Sequence, residues 1–132
     1  MKTYNALIRI VTVIVIFLAI SSCSRTDEKI ISKIEKDCNV SFDHQTNGVG
    51  AQVYHLWSVK GDEIISYDEK MKNIIDKELN ILPDKKEERQ YNPNSGKVES
   101  YYHWETPKTS VELSIEYHSD KGGSVKVYMV NK

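Results

Sequence analysis

The chain has 132 residues, 28% of them charged and 39% hydrophobic, with 18 basic and 19 acidic side chains and a net charge of −1. That length supports one modest core rather than several domains. The balanced charge, with no basic stripe, argues against a nucleic-acid partner, and the dispersed apolar positions argue against a disordered chain.

Residues 1–9 carry Lys2 and Arg9 and no acid, and Ile10 to Ile20 is then apolar apart from Thr12. Such a core has the length of a signal-peptide core, roughly 7–15 residues, and is short of the roughly 20 a membrane-spanning helix needs. It ends in Leu18-Ala19-Ile20-Ser21-Ser22-Cys23. This segment resembles the lipobox of bacterial lipoprotein precursors. The resemblance implies a leader, 1–22, cut before Cys23, whose sulfur is diacylated and whose new amino group is often acylated as well. Residues 23–26 are then the lipidated terminus and a short tether, and 27–132 a single domain. One acyl chain binds a membrane only marginally, whereas two or three hold a domain there stably. The resemblance also implies a cell-envelope location. Ser24, where an Asp favours inner-membrane retention, favours the outer membrane. Arg25-Thr26-Asp27-Glu28 resembles the acidic tags of some surface-exported lipoproteins, although Asp27 and Glu28 equally suit the start of a helix. Two of the 18 basic residues and none of the 19 acidic ones precede Cys23, so the chain from there on is net −3.

The first predicted helix runs from Asp27 to Cys38. Thr26 or Asp27 caps it, and Ile30, Ile31, Ile34 and Cys38 form one apolar stripe, with Lys29, Lys33 and Lys36 facing water. If Cys23 carries lipid, Cys38 has no disulfide partner; its place on the stripe predicts a buried thiol. Residues 39–50 read as a polar loop. A strand is predicted over Val49–Val59. Val49, Ala51, Val53, His55, Trp57 and Val59 share one face and Tyr54 and Leu56 the other, and Trp57, like Trp104, is expected in the core. After a turn at Lys60–Glu63, the capping-box pair Ser66 and Glu69 opens a second helix. Its buried stripe is Met71, Ile74, Ile75 and Leu79, and Lys70, Lys72, Asp76 and Lys77 are expected to be exposed. Asn80 and Pro83 end it. Beyond Lys86 the period becomes two. Glu87–Tyr91 is a candidate edge strand. Val98–Trp104, Val111–Tyr117 and Val125–Met129 follow, separated by turns at 92–96, 106–109 and 120–123. The fold expected is α+β, two helices packed on one face of a four- to five-stranded antiparallel sheet.

Chemistry-bearing motifs are sparse. No Gly-x-Ser-x-Gly turn or phosphate-cradling loop is present; Gly48-Val49-Gly50 precedes a strand, the wrong context for one. A thiol site would need Cys38 exposed beside His44 or His55. The histidines His44, His55, His103 and His118 lack metal-ligand spacing. His103 and His118, with Glu105 and Glu116, could meet only through strand pairing, so the expectation is a solvated sheet face rather than a metal site. No catalytic residue, metal ligand or cofactor is assigned. The candidate binding face is Tyr101, His103 and Tyr128 on the outer side of the sheet, since exposed tyrosines give large contact area at low entropic cost.

The 66–80 helix, Leu82-Pro83 and the strand carrying Tyr102-x-Trp104 resemble small α+β lipoproteins such as the small subunit of the outer-membrane barrel-assembly machine. That family has helices on a three-stranded antiparallel sheet; the 49–59 strand between the helices departs from it, and no functional residue carries over. The reading that results is a membrane-attached, non-enzymatic module that binds another envelope protein. An immunity or inhibitor lipoprotein is the alternative within that class, and a metal- or thiol-dependent envelope enzyme the alternative outside it.

Overall fold

The computed structural model describes residues 25–47, 50–118 and 121–132; the leader, Cys23 and Val49 lie outside them. Among the described residues two helices, α1 (Thr26–Cys38) and α2 (Gly61–Leu79), accompany six strands: β1 (Asp43–Asn47), β2 (Ala51–Val59), β3 (Lys85–Asn92), β4 (Lys97–Glu105), β5 (Thr109–His118) and β6 (Gly122–Asn131). All pairings are antiparallel, in the order β1-β2-β6-β5-β4-β3. The α+β class is as expected, with six strands rather than four or five. The extra one, β1, has the sequence Asp-His-Gln-Thr-Asn and carries no apolar signal. It forms because β2 offers an edge, pairing Asp43 with His55 through to Asn47 with Ala51.

The register places both helices on one face. Tyr102, Leu113, Val127 and Tyr54 lie in a row across β4, β5, β6 and β2, and they are buried with Ile30, Ile34, Met71 and Ile75 of the helices. β5 alternates without a break, from buried Thr109 to buried Tyr117. Cys38 is buried and has no disulfide partner among the described residues, and burial raises its thiol pKa.

Helix α2 starts five residues before Ser66. Ile64 is fully buried and extends the Met71–Ile75 stripe by two turns, so tertiary packing overrides the capping-box signal. Ser66 instead donates to the carbonyl of Glu63 within the helix. Asn39 and Asn80, both left-handed, end α1 and α2.

Strand β2 shows the largest departure from expectation. Gln52, Tyr54 and Leu56 face the helices, and a bulge between Leu56 and Val59, with Ser58 at φ 58, brings Val59 back to that side. His55 and Trp57 therefore point outward, and Trp57 is 57% exposed rather than in the core. Trp104 is fully buried, as expected.

Three helix carboxylates meet the polar ends of core aromatics. Asp27 of α1 accepts from the Tyr54 hydroxyl at 3.1 Å. Asp68 of α2 accepts from Tyr102 at 2.7 Å and Ser100 at 2.6 Å. Asp76 accepts from the Trp104 indole N–H at 2.8 Å. The expected exposure of Asp76 is thus corrected: it is half-buried, held between Trp104 and Lys72. A buried aromatic needs a partner for its polar tip, and each carboxylate supplies one while fixing a helix on the sheet.

Candidate binding face

The sheet face away from the helices is built from the alternate residues of the same strands. One row runs His55–Lys126–Ser114–Tyr101, and the next runs Val53–Tyr128–Glu112–His103. Beyond the first row lie Ser124, Glu116 and Glu99, themselves cross-strand neighbours. Serines at 114 and 124, on the two central strands, keep the middle of this face low. Aromatic side chains stand on its flanks. Trp57 stacks on His55 with centroids 4.7 Å apart and planes 5° apart. Tyr101 faces them from β4, across the two intervening strands β6 and β5. Between them is a groove of about 410 Å³ lined by His55, Trp57, Tyr101, Ser114, Glu116 and Lys126 among others.

Of the charged residues lining the groove, Glu116 is ion-paired. Lys97 Nζ lies 3.0 Å from Glu116, which also accepts from Ser124 at 3.3 Å. Burial and the neighbouring Glu112 carboxylate raise the Tyr101 hydroxyl pKa, so it stays a neutral donor. The arrangement can hold a flat or extended group between apolar ring faces and hydrogen-bond it from a floor of hydroxyls.

The three residues singled out from sequence occupy this face differently. Tyr101 forms a groove wall. Tyr128 and His103 sit one row below it, on either side of Glu112. His103 is tied into a local network, with Nδ1 2.7 Å from Asp84 and Nε2 3.1 Å from Ser110, and it connects the 80–84 loop to the sheet. His118 pairs with Gly122, six residues along β5 from the partner of His103, about 20 Å away. The two histidines do not meet, and among the described residues no group of three His, Cys, Asp or Glu is placed to hold a metal ion. Sequence reasoning missed His55 and Trp57. The signal was the spacing of Leu56 and Val59: two apolar residues three apart cannot share a sheet face unless a bulge intervenes.

A second cleft, of about 590 Å³, opens on the helix side between α2 and β3. Asp68 and Tyr102 form its base and Lys72, Lys86, Glu88 and Arg89 its rim. Arg89, at φ 50 in the β3 bulge, brings its guanidinium 3.8 Å from Asp68.

No protein-family model, no curated protein and no solved structure matches the chain.

Proposed function

We propose that this protein is a non-enzymatic binding module of the bacterial cell envelope. It is held by lipid on Cys23, at the outer membrane in preference to the inner, and it engages another envelope protein through the groove of its open sheet face. The observation that carries the reading is the exposed Trp57–His55 stack facing Tyr101 across a serine floor. A large aromatic left in water beside a groove is the kind of anchor that dominates protein interfaces, because its rigid ring contributes much area at little entropic cost. The lipobox-like run ending at Cys23 supports the location.

The test is photo-crosslinking on intact envelopes from a reactive residue placed at position 126, on the groove lining beside the Trp57–His55 stack. The native groove should give a discrete adduct that Ser114→Arg, which fills the floor without touching the core, removes. An adduct pattern unchanged by Ser114→Arg refutes the groove as the contact.

A further inference from the structure

We infer that the end of the domain carrying Ile81 and Leu82 rests on the lipid bilayer itself; the inference depends on the anchor proposed at Cys23. The helices are antiparallel: Lys33 of α1 pairs with Glu78 of α2 at 2.8 Å, and Lys70 donates to the carbonyl of Asp37. The start of α1 and the end of α2 are therefore at the same end of the molecule. A shallow depression there is lined by Thr26, Glu78, Leu79, Pro107 and Lys108. Three residues later, Leu82 is 75% exposed, the highest value among the large apolar side chains described, and Ile81 is 37% exposed.

A single exposed leucine is ordinary. Its position relative to the anchor is what matters here. Helix α1 begins at Thr26, so only Ser24 and Arg25 separate it from Cys23. Three residue steps span at most about 10 Å even when fully extended. Acyl chains in the membrane therefore hold this end against the headgroups, where apolar side chains settle about 5–10 Å into the interface. Ile81 and Leu82 lie on a braced segment. Asn80 ends the helix, Pro83 keeps Leu82 extended, and the Asp84 N–H donates to the His103 carbonyl at 2.9 Å. Of the neighbouring cations, Lys132 pairs with Glu105 and Arg25 with Asp27, while Lys108, on the depression itself, has no ion pair among the described residues; the contact inferred is the apolar one made by Ile81 and Leu82. Ile65, also exposed, is on the first turns of α2, about 21 Å along the helix from Leu79.

This arrangement places the Trp57–Tyr101 groove well above the bilayer. Trp57 lies six residues along β2 from Ala51, which pairs with Val130 near the anchored end, a rise of about 20 Å. The ligand face is then open to the aqueous side while the anchor end is covered.

The test uses the lipidated full chain, purified from a bacterial host and reconstituted into phosphatidylethanolamine–phosphatidylglycerol vesicles with brominated acyl chains. Leu82→Trp and Ile65→Trp are compared in a Trp57→Phe background, with mass spectrometry of the Cys23 peptide on each preparation. An acylated chain in which Leu82→Trp loses most of its added fluorescence and Ile65→Trp keeps it supports the inference. An acylated chain with equal fluorescence at both positions overturns the membrane contact and leaves the anchor standing. An unmodified Cys23 overturns both.

Discussion

Replacing Asp68 should be among the most damaging single changes in α2. Its carboxylate is 3% exposed and accepts from Ser100 Oγ at 2.6 Å and from the Tyr102 hydroxyl at 2.7 Å, both residues being 2% exposed. Asp68→Ala leaves two buried hydroxyl donors without acceptors, each worth about 1–3 kcal/mol. The Ser100 oxygen keeps the hydrogen bond it accepts from the Arg89 N–H, so its loss falls at the lower end. The total is about 3–4 kcal/mol, a large part of the stability of a domain this size. Tyr102→Phe removes one bond and leaves Asp68 still engaged by Ser100, so it should cost only about 1–2 kcal/mol. Because both substitutions remove the same bond, the double variant should fall short of the sum by about 1–2 kcal/mol. Equilibrium urea unfolding of the four species measures each corner of the cycle. A cost for Asp68→Ala below about 1 kcal/mol, or strict additivity, would refute the view that this carboxylate fastens α2 to β4.

Three other outcomes can be checked. Gly123→Ala places a Cβ over the Glu116 carbonyl oxygen and 2.6 Å from Tyr117 Cα; prising β5 from β6 should cost about 3 kcal/mol, whereas Gly50→Ala meets no atom and loses only about 1 kcal/mol to its positive φ, a contrast thermal melting would show. Trp57→Ala should change stability by less than about 0.5 kcal/mol while abolishing the groove-dependent adduct, and a large drop in melting temperature would show that the indole is structural. Burial, reinforced by Asp27 and Asp68, raises the hydroxyl pKa values of Tyr54 and Tyr102 far above their ordinary one. The folded state therefore keeps two protons that the unfolded chain releases near pH 10. Their stabilisation is complete below that pH and lost above it, at about 1.4 kcal/mol per tyrosine per pH unit, which unfolding at pH 9, 10 and 11 would reveal. The same series with Tyr54→Phe should lower the slope by the contribution of one tyrosine.

Much of the architecture can be read from periodicity. The Ile30–Cys38 stripe and the alternation of β5 are each continuous, and a continuous pattern has one structural solution. β1 was hidden because an edge strand with water on its outer side needs no apolar residue; its pairing comes from β2, a non-local cause. The phase of β2 was misread because a period-two count across Leu56-Trp57-Ser58-Val59 cannot register an inserted residue. That one position decided the candidate site, since it moves Trp57 from core to groove. The carboxylates of Asp27, Asp68 and Asp76 were equally hidden: an acid on a helix reads as solvent-facing until the opposing strand is known to present a tyrosine, serine or tryptophan donor. Tyr101 was found because Tyr102 and Trp104 fix the inward phase of β4.

The two borders of the sheet differ from its middle. β3 carries Lys85, Lys86, Glu87, Glu88 and Arg89 in succession, all exposed, and is broken by a bulge; β1 is five polar residues long. Bare strand borders invite hydrogen bonding from another molecule, and charge, brevity and irregularity each discourage it. Molecules tethered to a membrane share a thin layer where encounters between neighbours are frequent. Given the lipid attachment proposed above, such borders let the domain pack densely in that layer without polymerising edge to edge, and the broad face stays the proposed docking surface.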